Sequence, residues 1–354
     1  MAQAYRWRVK EHGAAGSVVK EAFDPPTPGP GWARVALRAM ALNHLDLWTT
    51  KGLDGVKLPL PITPGCDGAG VLDAVGDGTV LPPGVEPGGS VMIAPGLSCG
   101  ACAACLRGDD MRCASYKVMG HLCDGTAATH ALVPAASLLP IPPNWDFRQA
   151  AAFPLVFLTA WEMLVQKAKL QPGETVLVWG GGSGVGTAAI QLTRFLGGRA
   201  IAVVGSDEKA MRCWELGTEH VIVRSREDVA KKARELTAKR GVDIVFEHTG
   251  TATWAASMAA VARAGRIVTC GSTTGVEAPL NLRALFAKQI TILGSYMGRR
   301  EHLWTMLEHL KRNPTNPPFW PVLDRVFPLE DYPAAQAHLE RGQGFGKVVC
   351  EIAG

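Results

Sequence analysis

The stretch TVLVWGGGSGVGTAAIQL, Thr175 to Leu192, is the strongest indication of the class of fold. It begins with an apolar run of strand-forming residues, Thr175 to Trp179, and turns at once through a glycine-rich segment, Gly180 to Gly186. A strand that turns tightly into a helix through glycines is typical of a Rossmann sheet, in which the helix amino terminus receives a pyrophosphate. The helix is indicated by apolar residues that recur at helical spacing: Val185, Ala188, Ala189, Leu192, Phe195 and Leu196.

The glycine segment contains a near match to the dinucleotide-binding pattern G-x-G-x-x-G. Counted back from Gly186, its second glycine is replaced by Ser183. A glycine-rich turn alone is a weak signal, because many such turns have only a structural role. Here a clear strand precedes it and an amphipathic helix follows, which predicts a dinucleotide site. The predicted cofactor-binding residues of this loop are Gly181, Gly182, Ser183, Gly184, Val185 and Gly186.

The end of the next strand distinguishes NADH from NADPH. An acidic side chain there would accept hydrogen bonds from the ribose 2'-hydroxyl but would repel a 2'-phosphate. The sequence VVGSDEK places Gly205 and Ser206 at that point, with Lys209 close behind and Arg224 further along to neutralise a phosphate. These residues predict NADPH, and the nearby Asp207 leaves NADH as the alternative.

The remaining sequence predicts two domains. The first 150 residues are rich in glycine and proline and broken into short apolar runs, which suits a mostly β domain. From Gly173 strands and helices alternate, which indicates βαβ units and a doubly wound parallel sheet. The six predicted strands of that sheet are Thr175–Trp179, Ala200–Val204, Val221–Val223, Asp243–Phe246, Arg266–Cys270 and Ile290–Leu293.

Composition excludes several classes of protein. The chain has 354 residues, 47% of them hydrophobic, which is enough for two folded domains with sizeable cores. A net charge of +4 with no long basic run does not suggest nucleic-acid binding. The longest apolar run, Ala150 to Trp161, is shorter than the roughly 20 residues of a membrane span, and the amino terminus lacks an apolar secretory signal. We therefore expect a cytoplasmic protein that does not bind membranes.

Four of the nine cysteines cluster in GLSCGACAACLRGDDMRC, from Gly96. Soft thiolates in a reducing compartment prefer zinc, and three cysteines at this spacing can surround one ion whose fourth ligand comes from further along the chain. A nucleic-acid-binding ribbon would carry basic residues in the gaps, whereas this sequence has alanines. We predict a zinc site, with reduced metal-free thiols as the alternative, on Cys99, Cys102, Cys105 and Cys113.

Taken together, these motifs resemble the medium-chain dehydrogenase/reductase superfamily. Other landmarks of the resemblance are ALNHLDLW from Ala41, PITPGCDGAGVLDAVG from Pro61, AAFPLVFLTAW from Ala151 and FGKVV near the end. The resemblance implies a GroES-like catalytic domain, residues 1–150 and 296–354, split around a Rossmann domain, residues 151–295, with the active site in the cleft between them. It also implies a homodimer through the edges of the Rossmann sheets, with a tetramer as the alternative.

The resemblance also bears on the reaction, because zinc alcohol dehydrogenases of this superfamily use Cys, His and Cys to bind a catalytic zinc. The matching positions here are Asn43, Cys66 and Leu155, and only Cys66 is a good ligand. The Asn43-x-x-Asp46 pattern is instead similar to zinc-independent quinone oxidoreductases and enoyl reductases. The predicted catalytic residues are Asn43, His44, Asp46 and Cys66.

Two further residues complete the predicted cofactor site: Thr159, before the glycine loop, and Tyr296, after the sixth strand. The resulting hypothesis is an NADPH-dependent reductase of a small-molecule quinone or activated alkene, with one structural zinc. A zinc-dependent alcohol dehydrogenase is the alternative enzyme. A third reading is an NADPH-binding protein with a structural or RNA-binding role, since fold alone does not establish turnover.

Overall fold

We describe the chain from a computed structural model, which covers residues 3–53 and 55–353. The chain divides into two compact units. Unit 1 comprises Met1–Leu155, Arg299–Pro317 and Pro321–Gly354, and unit 2 comprises Val156–Gly298 and Pro318–Trp320. The predicted boundaries after residues 150 and 295 lie close to those after Leu155 and Gly298, but Pro318–Trp320, predicted to belong to the GroES-like domain, groups with unit 2.

Unit 1 is built on a mainly antiparallel sheet. Its strands are β1 (Tyr5–Arg8), β2 (Val19–Ala22), β3 (Trp32–Ala41), β4 (Asp67–Val75), β5 (Ser90–Ile93), β6 (Gly96–Leu97), β7 (Lys117–Val118), β8 (His130–Pro134) and β9 (Leu138–Pro140), with β16 (Leu323–Pro328) and β17 (Lys347–Glu351) from the end of the chain. The main sheet has the order β16-β17-β3-β4-β5-β9, and β8 also pairs with β3. Burial alternates along most of β3, as expected of a strand with one face on the core. That core includes Val35, Leu37 and Leu72.

The helices of unit 1 range from 4 to 13 residues, and α3 and α11 pack against strands of this sheet. They are α1 (His44–Lys51), α2 (Ala103–Leu106), α3 (Phe147–Ala152), α10 (Arg300–Arg312) and α11 (Tyr332–Arg341). α3 begins with a complete capping box, in which the Asp146 carboxylate accepts from the Gln149 N–H and the Gln149 side chain accepts from the Asp146 N–H.

Unit 2 is a parallel six-stranded sheet with helices. Its strands are β10 (Thr175–Val178), β11 (Arg199–Val204), β12 (His220–Val223), β13 (Val242–Glu247), β14 (Val261–Thr269) and β15 (Thr291–Gly294). Its helices are α4 (Pro154–Trp161), α5 (Gly184–Phe195), α6 (Asp207–Glu215), α7 (Val229–Leu236), α8 (Thr251–Ala260) and α9 (Leu282–Lys288). The strand order is β12-β11-β10-β13-β14-β15. The chain adds β11 and β12 on one side of β10 and then β13 to β15 on the other side, which is the doubly wound arrangement.

The predicted fold class is confirmed, and all six predicted strands are present in unit 2. The fifth is longer than predicted, because its strand begins at Val261 rather than Arg266. The apolar run that ends at Trp161 forms parts of α3 and α4 and continues as a π-helical segment, Glu162–Lys167. Among residues 3–53 and 55–353, no helix is both long enough and apolar enough to cross a bilayer.

Candidate functional site

The glycine loop joins β10 to α5 and is closed by a side chain. Ser183 is the N-cap of α5, and its Oγ accepts a hydrogen bond from the Gly186 N–H at 3.0 Å. A Cβ at Gly186 would lie 2.2 Å from the Gly180 carbonyl oxygen, so this position has room only for glycine. The serine in the motif therefore caps the helix, whose amino terminus attracts anions through its backbone N–H groups.

Two strand ends beside the loop carry the residues predicted to select the cofactor. Gly205 and Ser206 follow β11, and Arg224 follows β12, whose register pairs Val204 with Val223. A Cβ on Gly205 would lie 3.6 Å from a terminal nitrogen of the Arg224 guanidinium. The Arg224 guanidinium therefore lies beside the space that a side chain at position 205 would fill. A positively charged space of this kind suits a phosphate.

Asp207, the acidic residue that left NADH as the alternative cofactor, is paired with an arginine. The Arg226 guanidinium donates to the Asp207 carboxylate at 2.7 Å, and both side chains are exposed. Lys209, also predicted to bind the cofactor, is partly buried in the first turn of α6, where its N–H donates to Ser206 Oγ at 3.4 Å. This arrangement partly neutralises Asp207 and leaves Arg224 facing Gly205.

The structure places the last two predicted cofactor residues on separate elements of unit 2. Thr159 lies on α4 with 7% of its surface exposed, whereas Tyr296 follows β15 and is 55% exposed. Their contacts with a cofactor stay a prediction.

In unit 1, three of the four predicted catalytic residues lie together around the start of α1. Asn43 is the N-cap residue of α1, and the Asp46 carboxylate accepts its N–H at 2.7 Å and the Gly65 N–H at 2.9 Å. Asp46 is fully buried, and this burial raises its pKa to about 6. Cys66 Sγ lies 3.7 Å from the same carboxylate. The fourth residue, His44, is exposed and packs its ring edge against Trp48, with the ring centroids 6.4 Å apart.

A buried lysine that the sequence analysis did not single out completes this cluster. Lys347 Nζ donates to Asn43 Oδ1 at 2.6 Å and to Asp67 Oδ2 at 3.1 Å. Asn43 Nδ2 also donates to Asp67 Oδ2, at 2.8 Å, and the other oxygen of Asp67 accepts the Leu155 N–H at 3.0 Å. Lys347 is 3% exposed and Asp67 is fully buried. The one sequence signal was a lysine at the start of an apolar strand, in FGKVV.

These residues do not fit a catalytic zinc. Asn43 is a poor ligand whose amide oxygen is bound to an ammonium group, and Leu155 offers no ligating side chain. Cys66 is the one good ligand among the three, and without a metal burial raises the pKa of its thiol well above the usual range.

The four clustered cysteines do fit a metal ion. Their sulfur atoms all lie within 4.8 Å of one another, and no other such group occurs in the described part of the chain. The Cys99–Cys105 and Cys102–Cys105 sulfur distances are 3.9 and 3.6 Å, close to the roughly 3.8 Å edge of a tetrahedron with Zn–S bonds of about 2.3 Å. Hydrogen bonds from the backbone of Ala101 and Cys102 lower the pKa of Cys99 to about 6, which favours the ligating thiolate.

Comparison with known proteins identifies the family. Residues 29–143 match the alcohol dehydrogenase GroES-like domain and residues 184–312 match the zinc-binding dehydrogenase family. A zinc-type alcohol dehydrogenase-like protein of Schizosaccharomyces pombe is 31% identical over 93% of each chain. A crystal structure of an NAD-dependent alcohol dehydrogenase aligns with a TM-score of 0.93 and 40% identity over 99% of this chain and 100% of that one.

Reductases of conjugated substrates also match. A crotonyl-CoA reductase of Streptomyces avermitilis is 31% identical over 92% of this chain and 80% of its own. A quinone oxidoreductase of Rattus norvegicus is 27% identical over 96% and 94%. The chain therefore belongs to the medium-chain dehydrogenase/reductase superfamily, and it is an oxidoreductase.

Proposed function

We propose that this chain is an NADPH-dependent reductase of quinones or activated alkenes that works without a catalytic metal and carries one structural zinc. The observation that carries the proposal is the environment of Asn43, which stands at a position where the resemblance places a metal ligand: its amide oxygen accepts from the Lys347 ammonium and its amide nitrogen donates to Asp67. The similarity to quinone and crotonyl-CoA reductases supports the same conclusion.

The chemistry of such substrates explains why no Lewis acid is needed. When bound, NADPH supplies a hydride, and a quinone or conjugated alkene accepts it by spreading the negative charge onto its own carbonyl oxygen. The chain's part is to hold the pyrophosphate at the amino terminus of α5 and the 2'-phosphate beside Arg224. Solvent then supplies a proton to the reduced substrate, so that hydride and proton together complete the two-electron reduction.

Within the cluster, Lys347 has a positioning role. Its ammonium fixes the Asn43 amide oxygen, and Asp67 fixes the amide nitrogen, so the Asn43 side chain has one orientation. The same ammonium offsets the buried charge of Asp67.

A direct assay tests the reaction. NADPH oxidation is measured with a panel of quinones and enones, and NAD(P)⁺ reduction with a panel of alcohols, on protein whose zinc content is counted. The proposal expects turnover of the first panel with about one zinc per chain. Turnover confined to alcohols, or dependent on a second zinc, would establish the second candidate, a zinc-dependent alcohol dehydrogenase. The 40% identical structure, that of an NAD-dependent alcohol dehydrogenase, favours alcohols as substrates.

The choice of cofactor has its own test. Replacing Arg224 by Gln removes the cation beside Gly205. We expect the KM for NADPH to rise at least about tenfold, the worth of a charge-assisted hydrogen bond, with little change for NADH. Lys231→Gln, an exposed change on α7, serves as the charge-matched control. Equal effects on both cofactors would contradict the assignment of NADPH.

The assembly we propose is a homodimer that covers an exposed edge of unit 2. Strand β15 lies at the end of the sheet, and α9 has no buried residue. Four large apolar side chains are exposed before and on this helix: Val276, Leu280, Leu282 and Phe286. Sedimentation of the wild type and of Leu282→Glu/Phe286→Glu tests this, with a dimer and a monomer as the respective expectations. A wild-type monomer would contradict it, and a tetramer dissociated by the same change would extend it.

A further inference from the structure

A second charged cavity lies in unit 2, away from the glycine loop. Its volume is about 160 Å³. It lies at the amino ends of β13 and β14, whereas the glycine loop follows the carboxyl end of β10. Because the strands are parallel, the cavity and the glycine loop lie at opposite ends of the strands. The lining residues are Arg234, Arg240, Gly241, Ala259, Val261, Arg263 and Lys288.

The lining of this cavity carries four cations and no carboxylate. Only Arg240 has an acidic partner among the described residues, since its Nη2 donates to Asp243 at 3.0 Å. Arg234 is exposed and follows a lysine-rich turn of α7, and the acid next to it, Glu235, is paired with Lys232 at 3.5 Å. The cavity therefore keeps an excess of about three positive charges at neutral pH.

Carbonyl groups near helix ends explain the positions of Lys288 and Arg263, but they do not explain why four cations line the cavity. Lys288 Nζ donates to the carbonyl oxygens of Met258 and Val261 at 3.4 and 3.2 Å, and Arg263 Nη1 donates to that of Ala287 at 2.9 Å. Carbonyl groups near helix carboxyl ends attract cations, with a favourable energy that falls off within one turn. They satisfy these donors without neutralising the charge, and Arg234 makes no such bond among the described residues.

The cations also act on one another. Burial, and next the charge of Arg234, lower the pKa of Lys288. A bound anion would relieve that repulsion, and planar guanidinium groups match the geometry of phosphate oxygens.

We propose that this cavity binds the phosphate group of a small molecule, at a site separate from that of the dinucleotide. Its volume of about 160 Å³ accommodates a phosphate or a small phosphate ester. The inference does not depend on the reaction proposed above, because it rests on residues at the other end of the strands.

The test is calorimetric titration of the full chain at constant ionic strength, with saturating NADPH present to occupy the dinucleotide site. The probes are inorganic phosphate and glycerol 3-phosphate. We expect at least one to bind, and Arg234→Gln/Arg263→Gln to weaken that binding at least about tenfold. The matched control, Lys231→Gln/Arg283→Gln, removes the same charge from α7 and α9 outside the cavity, and should change affinity less than about twofold.

The single change Arg234→Gln distinguishes a loss of binding from a folding defect, because the Arg234 side chain makes no hydrogen bond among the described residues. It should weaken binding several-fold while leaving the melting temperature unchanged. Preference for the ester over inorganic phosphate, or the reverse, identifies the source of the group. The proposal is overturned if neither probe binds the wild type at about 20 mM. It is also overturned if the cavity variant and the control variant weaken binding equally.

Discussion

Replacing Lys347 by Met tests the buried cluster most directly. The change removes the ammonium from beside Asp67, a fully buried carboxylate, and takes a donor from Asn43 Oδ1. Breaking a buried ion pair from one side costs about 3–5 kcal/mol, because the remaining charge stays buried without compensation. We therefore expect the free energy of unfolding to fall by about that amount, measured as the shift of the urea midpoint followed by circular dichroism.

A double-mutant cycle separates the charge pair from simple loss of packing. Lys347→Met/Asp67→Asn removes both charges, so it should be more stable than the sum of the two single changes predicts, by about 2 kcal/mol or more. Lys51→Met is the control, because the Lys51–Glu340 pair is about half exposed and is worth less than about 1 kcal/mol. A Lys347→Met protein within about 1 kcal/mol of the wild type, or additive effects in the cycle, would refute the reasoning.

Three further predictions concern other groups. Burial raises the pKa of Asp46 from 3.8 to about 6, so the folded state binds the proton more tightly than the unfolded state, by about 3 kcal/mol. This contribution to the free energy of unfolding is present below about pH 4 and is lost as the pH rises through 6. The free energy of unfolding of the wild type, measured relative to Asp46→Asn, should therefore fall over that range, and a difference that does not change with pH would disprove the shift. Replacing Cys105 by Ser should release zinc measured by mass spectrometry of the metal, while Cys66→Ser keeps it; zinc loss from the second variant would contradict the assignment. Gly186→Ala brings a Cβ within 2.2 Å of the Gly180 oxygen, so NADPH affinity measured by fluorescence should fall at least about tenfold, and unchanged affinity would show that the loop does not hold the cofactor.

The sequence predicted most of what depends on neighbouring residues. The strand, the glycine loop and the helix of unit 2 lie within Thr175–Phe195, and their local geometry limits the loop to glycine at Gly186 and favours a capping residue at Ser183. The cysteine cluster spans Cys99 to Cys113, so spacing alone was enough to bring its sulfur atoms together. The alternation of strands and helices was likewise sufficient for the class of fold.

The cofactor residues needed one further element, the register of the sheet. Gly205 and Arg224 are far apart in the chain, but parallel pairing of Val204 with Val223 places them side by side. The sequence could suggest Arg224 only as one of several nearby cations. It could not show that Asp207 has its own partner in Arg226, since that pairing depends on the direction of two surface side chains.

The fold class, the glycine loop and the cysteine cluster could be predicted from the sequence, because each follows from residues close together in the chain. The environment of Asn43 could not be predicted in this way, because it depends on residues that are distant in the chain. Its lysine lies 304 residues away and reaches it through three neighbouring strands, in which Val349 pairs with Ala41 and Ala41 with Asp67. A charge pair of this kind leaves no periodic trace in sequence, since it depends on which side chains the paired strands direct into one buried space.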